Sequence, residues 1–152
     1  MEHKPGIDVQ TPENTYIYTW LETQACRGAN EVASDVVHFL THLDQVNGSK
    51  GNSGLTLRLF SDSCSSQNKN SIMVSAIAMF LQRSKAFDKV VHFFPVHGHT
   101  FMPPDRVFGR IEKQYGRREE IVSPSEYHEI LGQFGTVLKW GSDWQVQSRK
   151  KL

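Results

Sequence analysis

Strand-like and helix-like segments alternate along this chain, and that alternation constrains the fold more than any other feature of the sequence. β-branched and aromatic residues predict four strands, at 15–20, 55–60, 89–96 and 135–140. Apolar residues at helical spacing predict four helices, at 28–43, 70–82, 103–115 and 123–135. This order favours an α/β fold in which helices pack on a sheet with parallel strands.

The composition is that of one folded domain. The chain has 152 residues, of which 38% are hydrophobic and 22% charged, which is enough for one good core. We assign 1–14 to a lead-in, 15–144 to the domain and 145–152 to a basic tail. Gly, Ser and Asn predict a flexible turn cluster at 47–54, and the helix at 70–82 is apolar nearly all round, which predicts a buried helix.

Charge and cysteine content restrict the partners and the compartment. The 17 basic and 16 acidic residues nearly cancel, so only a local patch can bind a phosphate backbone. No apolar run is long enough for a membrane span, and the N-terminal residues have no apolar core of a signal peptide, so neither a membrane nor secretion is expected. Cys26 and Cys64 are far apart and form no CxxC motif, which favours free thiols in a reducing compartment.

Asp62 comes directly after the strand at 55–60. In open parallel sheets, ligands bind beyond the carboxyl ends of the strands. A carboxylate held there suits a metal site, which needs oxygen ligands in fixed positions at an open mouth. The alternative is that Asp62 and the serines that follow it cap the next helix.

The segment at 96–112 is a second candidate. His97 and His99 have strand spacing, and Asp105, Gly109 and Glu112 share one face of the next helix. His-x-His alone is a weak indication of zinc, because no third and fourth ligands stand at recognisable spacing. The alternative interpretation places Asp105 in the first helical turn for its favourable interaction with the helix dipole, and leaves Glu112 as a solvated charge.

Basic residues accompany these acids. Arg106, Arg110, Lys113 and Arg117 recur at three- and four-residue steps, and Lys69 lies just before the helix at 70–82. A basic stripe beside a metal site suits phosphates, although a solvated helix face would have the same pattern.

Together these motifs resemble a large family of transposon-derived proteins of animals. The matching residues are Asp62, Cys64, Gln67, Asn68, Lys69 and Asn70, then Gly98, His99, Thr100, Asp105, Phe108, Ile111 and Glu112. The segment at 18–32 also matches, and the resemblance covers roughly residues 15–144. One departure is that Ser65 and Ser66 stand where the family often has glycines.

This resemblance implies a ribonuclease-H-like transposase fold, with a mixed sheet and flanking helices. The fold begins with a three-stranded meander, and its first strand carries the first of the metal-binding acids. The strand at 15–20 would be about the third strand, so the resemblance implies that the first strands and the first acid are not in this sequence. Asp8 is a poor substitute, because nothing strand-like precedes it.

The resemblance also implies roles for the site residues. Asp62 would bridge two Mg²⁺ or Mn²⁺ ions, Asp105 or Glu112 would be the late acid, and His99 would orient water or phosphate. Sharing such a pair of ions requires the carboxyl groups of Asp62 and Asp105 to lie within about 10 Å of each other. Lys69 would contact a phosphate near a helix start.

The expected function is therefore that of a fragment or relic of a metal-dependent DNA transposase or nuclease, inactive as this chain alone. DNA is the expected partner in a longer parent protein, the implied location is the nucleus (otherwise the cytoplasm), and the oligomeric state stays open. Two alternatives remain: a non-catalytic DNA- or protein-binding domain of a domesticated transposon protein, and a small metal enzyme that uses His97, His99 and Asp105.

Overall fold

The computed structural model describes residues 12–26, 28–96, 102–117 and 123–147. The described helices are α1 (Ala29–Ser49), α2 (Ser71–Arg83), α3 (Pro103–Tyr115) and α4 (Pro124–Gly132). The described strands are β1 (Tyr16–Thr19), β2 (Leu55–Phe60), β3 (Phe87–Phe93) and β4 (Thr136–Lys139). Within these ranges, no helix combines the length and the apolar character that a membrane crossing requires.

The chain divides into two compact units, each with one pair of parallel strands. We call the first the β2–β3 unit; its described residues are 20–26, 28–96 and 140–147. We call the second the β1–β4 unit; its described residues are 12–19, 102–117 and 123–139. The protein is therefore a mixed α/β chain with small parallel sheets, as the alternation of segments predicts, while the finer ribonuclease-H-like topology stays a prediction.

In the β2–β3 unit, α2 connects two parallel strands, and α1 and α2 cover one face of the pair. Alternation along β2 turns its three leucines toward the helices and leaves Thr56, Arg58 and Phe60 exposed. The register places Leu59 beside His92 and Phe60 beside Phe93. The core comprises Ala33, Leu40, Ile72, Met73, Ala76, Ile77, Phe80, Ala86 and Phe87.

Asp44 of α1 holds the turn between α2 and β3 in place. Its carboxylate accepts hydrogen bonds from the Ser84 hydroxyl at 2.6 Å and from the backbone amides of Lys85 and Ala86 at 3.0 and 2.9 Å. Lys85 and Ala86 lie between the end of α2 and the start of β3, so their amides belong to neither element. One side chain of α1 therefore satisfies three donors at the entrance to β3.

The end of the β2–β3 unit returns to α1. The Gln147 amide donates to the hydroxyl of the buried Ser34 at 2.8 Å, and that hydroxyl donates to the Asn30 carbonyl at 2.6 Å. Trp144 is buried and meets Trp20 edge to face, with ring centroids 5.5 Å apart. Residues 140–147 thus form a strap that belongs to this unit although they follow β4 in sequence.

In the β1–β4 unit, α3 and α4 pack on the parallel pair β1 and β4. Its core is Val107 and Ile111 of α3 with Leu131 of α4, against which Ile17 and Val137 of the strands pack. Gly135 precedes β4, and a Cβ atom there would lie 2.6 Å from the Thr15 carbonyl oxygen. The close approach lets the Thr136 amide donate to that carbonyl at 2.8 Å, which starts the pairing of β1 and β4.

Two predictions about the helices are wrong. α1 continues through Asn47, Gly48 and Ser49, where the sequence predicts a turn, and the chain turns instead at Gly51, whose φ is 77°. α2 is not buried all round, because Val74 is 66% exposed and Met79 46% exposed. The prediction of free thiols is confirmed, since neither Cys26 nor Cys64 forms a disulfide.

Candidate functional site

The loop after β2, residues 61–70, is ordered around Asp62. The Ser61 amide extends the strand ladder by donating to the Phe93 carbonyl at 3.2 Å. Asp62 follows, and its Oδ1 accepts hydrogen bonds from the Cys64 amide at 3.2 Å and from the Asn68 side-chain amide. The carboxylate is therefore held in position from both sides of the loop.

A compact turn brings Asn68 back to Asp62. The Cys64 carbonyl accepts from the amides of Gln67, Asn68 and Lys69 at 3.2, 2.8 and 3.0 Å. The turn ends at Asn70, whose side-chain oxygen accepts from the Met73 amide at 2.9 Å and caps α2. The two asparagines around Lys69 thus have separate tasks: Asn68 holds the acid, and Asn70 starts the helix.

The alternative that Asp62 itself caps α2 is therefore wrong, because Asn70 is the cap. Asp62 is exposed, and its second oxygen, Oδ2, accepts no hydrogen bond from the described part of the chain. A carboxylate with one oxygen held and one oxygen open can bind a cation or a water molecule without losing its position.

The other side of the same loop contains a serine–histidine pair that sequence reasoning missed. The Ser61 hydroxyl and His92 Nε2 are 2.7 Å apart, and the His92 ring lies against Phe94 with centroids 4.2 Å apart. Burial lowers the pKa of His92 below its ordinary value, which favours the neutral ring. Lys69, predicted to contact phosphate, has its Nζ over the Phe94 ring at 5.4 Å from the centroid.

The α3 acids lie in the β1–β4 unit. Asp105 is the third residue of the helix, and its Oδ2 accepts from the Met102 amide at 2.9 Å, so this carboxylate caps the helix start. Glu112 is exposed on the same side of α3, about 10.5 Å further along the axis at 1.5 Å per residue. A Cβ atom at Gly109, between the two acids, would meet nothing within 4 Å, so that side of the helix is open at this position.

The basic stripe is shorter than the sequence predicts. Arg106, Arg110 and Lys113 are exposed on α3, whereas Arg117 follows the end of the helix in a turn. At 3.6 residues per turn, the three helical cations lie roughly 120° around the axis from Asp105 and Glu112. The cations and the acids therefore occupy different sides of α3.

Some predicted residues fall outside the described part of the chain: these are His97, Gly98, His99 and Thr100. Asp62 belongs to the β2–β3 unit and Asp105 to the β1–β4 unit, so their predicted proximity stays a prediction. Among the described residues, no three His, Cys, Asp or Glu side chains are grouped so as to hold a metal ion.

The missed residues had no usable signal in the sequence. Parallel pairing of the predicted segments at 55–60 and 89–96 with their carboxyl ends aligned would place Phe60 beside Val96, whereas the observed β3 ends at Phe93 and the register places Leu59 beside His92 and Phe60 beside Phe93. The pairing also shifts between Leu55 and Thr56, an irregularity that periodicity does not predict.

Comparison with known proteins identifies a family without identifying an activity. The family model described as "Domain of unknown function (DUF7869)" matches residues 3–139. The chain therefore belongs to this family. No curated protein and no solved structure matches it.

Proposed function

We propose that this chain contains part of the metal-binding core of a ribonuclease-H-like, transposase-type enzyme that acts on DNA phosphodiesters in the nucleus. The observation that carries the proposal is the geometry of Asp62, whose Oδ1 is held by Asn68 and the Cys64 amide while Oδ2 stays open. This carboxylate lies at the carboxyl end of a strand in a parallel β–α–β arrangement, where α/β proteins bind their ligands.

Oxygen ligands and exposure favour Mg²⁺ or Mn²⁺ over a softer metal. Hard cations take carboxylate oxygens and keep several waters, so one well-positioned carboxylate and an open approach suit them. When bound, two such ions supply an activated water and a counter-charge for the leaving oxygen. In this proposal the Asp62 carboxylate is a metal ligand, and the hydrogen bond from Asn68 orients that carboxylate.

The late acid is the second element of the proposal. Asp105 and Glu112 are about 10.5 Å apart along the axis of α3, slightly more than the separation of about 10 Å at which two carboxyl groups share a pair of ions, so we assign only one of them as the late acid. The Asp105 carboxylate already accepts from the Met102 amide, whereas the Glu112 carboxylate accepts no hydrogen bond from the described residues. We therefore favour Glu112 as the late acid and Asp105 as the helix cap.

A nicking assay tests the catalytic part of the proposal. Supercoiled DNA incubated with Mn²⁺ and the 152-residue chain should stay uncut, because the first acid of such a site is not assigned within this sequence. Nicking that Asp62→Asn abolishes and the matched change Asp88→Asn leaves intact would show that the ligand set is complete, and would contradict this part of the proposal. Asp88 is an exposed acid of β3 outside the loop at 61–70.

A second candidate function is a non-catalytic DNA-binding domain of a domesticated transposon protein. The exposed row of Arg106, Arg110 and Lys113 favours it, since these cations lie on a side of α3 that carries neither Asp105 nor Glu112. Such a row would contact the phosphate backbone and would bind DNA without sequence preference.

A further inference from the structure

The face of the β2–β3 pair that points away from α1 and α2 has an unusual composition. Parallel strands are ordinarily covered on both faces, and their exposed side chains are rarely large and aromatic. Here the alternation of β2 and the register with β3 place three residues from each strand on this face. They are Thr56, Arg58 and Phe60 from β2, and Lys89, Val91 and Phe93 from β3. We call this face the outer sheet face.

Two phenylalanines stack on each other at one end of the outer sheet face. The rings of Phe60 and Phe93 are nearly parallel, at 13°, with centroids 4.8 Å apart. Phe60 is 62% exposed and Phe93 41% exposed, so the pair presents aromatic surface to solvent. Both side chains come from paired strands, so the backbone ladder holds the two rings in place.

Two cations share the outer sheet face with the rings. Arg58 is two residues before Phe60 on β2, one side-chain step of about 6.6 Å, and Lys89 lies on the neighbouring strand beside Thr56. Neither cation forms an ion pair with another described residue. The nearby acid Asp88 lies toward Gly54, at the opposite end of the pair from the stacked rings.

Stacked aromatic rings beside cations without a described ion-pair partner suit a ligand that combines flat rings with negative charge. We propose that the outer sheet face binds single-stranded nucleic acid, with a base stacked on the Phe60–Phe93 pair and the phosphate backbone along Arg58 and Lys89. Every base has a π-face, so such a platform is tolerant of sequence. Duplex DNA keeps its bases stacked inside the helix and offers no free face to the rings.

The charge on the face argues against an apolar protein partner. A hydrophobic surface that covered Phe60 and Phe93 would also cover Arg58 and remove its charge from water without a counter-charge. A nucleic-acid strand supplies apolar bases and anionic phosphates at successive positions, which suits both kinds of residue. The proposal does not depend on metal binding by Asp62, because it requires no cation.

Fluorescence anisotropy with a labelled 12-residue oligothymidylate, in EDTA, tests the platform on the full chain. Phe60→Leu and Phe93→Leu keep most of the apolar volume and remove the aromatic face, and each should weaken binding by about 5- to 150-fold. Arg58→Gln should weaken binding and flatten the dependence of log affinity on log salt by about 0.7. Phe108→Leu is the matched control, since Phe108 is 59% exposed on α3, in the other unit, and should leave binding unchanged.

An abasic oligonucleotide of the same length supplies a readout that does not depend on the folding of any variant. It should bind the wild-type chain several-fold more weakly than oligothymidylate, because it retains the phosphates and lacks the bases. Equal affinity for the two strands, or wild-type affinity in both phenylalanine variants, would overturn the proposal. Dimerisation that Phe93→Leu abolishes in the absence of nucleic acid would also overturn it, by identifying the face as an interface between copies of this chain.

Discussion

Asn68 donates a side-chain hydrogen bond to Oδ1 of Asp62, six residues earlier in the chain. The bond joins the end of β2 to the turn that precedes α2, so the acid and its support belong to one short loop. If Asp62 is a metal ligand, Asn68 is the residue that orients its carboxylate, so metal affinity should depend on both residues.

Asn68→Ala should therefore weaken Mn²⁺ binding by about 10-fold without removing it, since outer partners of metal ligands typically contribute a factor of that size. Isothermal titration of Mn²⁺ into the variant measures the effect. Asn52→Ala is the matched control, because Asn52 also donates a side-chain hydrogen bond, to Asn47, but lies before β2. Equal Mn²⁺ affinities of Asn68→Ala and the wild type would contradict the claim that Asn68 orients a metal ligand.

Asp44→Ala should lower the free energy of unfolding by about 1–3 kcal/mol at pH 7, because it removes the acceptor of three donors. Urea unfolding measures the loss. Asp88→Ala is the control, an exposed acid on β3 that should change the free energy of unfolding by less than about 0.5 kcal/mol.

The pH dependence of the same variant gives a second check. Burial raises the pKa of Asp44, but hydrogen bonds from Ser84, Ala86 and Lys85 outweigh it and hold the pKa below its ordinary value. The stabilisation is therefore present above pH about 4 and is lost as the pH falls through the depressed pKa. The difference in unfolding free energy between the wild type and Asp44→Ala should shrink below pH 4; a difference independent of pH would contradict this assignment.

Asp35 of α1 should have the opposite effect on stability. Burial raises its pKa to about 7, and the Val36 backbone hydrogen bond only partly offsets that shift. The folded state therefore binds a proton that the unfolded state has lost, so stability falls as the pH rises from about 4 to about 7. Asp35→Asn should stabilise the chain by about 1–4 kcal/mol at pH 8.5 and by much less at pH 4. Equal effects at the two pH values in urea unfolding would show that Asp35 ionises normally.

The basic row of α3 should bind duplex DNA through phosphates. Changing Arg106 and Arg110 together to alanine should flatten the plot of log affinity against log salt by roughly 2 units, since each phosphate contact contributes about 0.9. Fluorescence anisotropy with two unrelated duplexes should show the same loss for both, because backbone contacts carry no sequence information. The paired change Arg83→Ala and Lys85→Ala, in exposed positions of the other unit, is the control. An unchanged slope in the α3 variant would leave the row as a solvated helix face.

Local patterns predicted the elements well where turn residues bound them on both sides. β2 coincides with the predicted strand because Gly54 precedes it and Asp62 follows soon after its end. α3 coincides with the predicted helix because its prolines at the start need no amide donors. The predicted end of α1 was wrong because Asn, Gly and Ser each cost a helix only about 1 kcal/mol or less relative to Ala. One local hydrogen bond is strong enough to offset a cost of that size. Asn47 and Ser49 form such bonds, to the carbonyls of Leu43 and Val46.

Some residues of the candidate site could be predicted from local patterns, and others could not. The position of Asp62 was predictable, because a strand pattern ends just before it. The roles of Asn68 and Asn70 were not, since either amide could have capped α2 and only the folded loop separates them. The Ser61–His92 pair and the stacked Phe60 and Phe93 depend on the register between two strands that are far apart in sequence, and no local pattern encodes that register.

Nuclear magnetic resonance with Mn²⁺ tests the central claim most directly. Substoichiometric Mn²⁺ should broaden the amide signals of residues 61–64 and 68 first, because paramagnetic broadening falls steeply with distance from the ion. Asp62→Asn should abolish that selective broadening, while Asp88→Asn should retain it. Broadening that is uniform over the exposed acids, or that persists at residues 61–64 in Asp62→Asn, would contradict the assignment of Asp62 as a metal ligand.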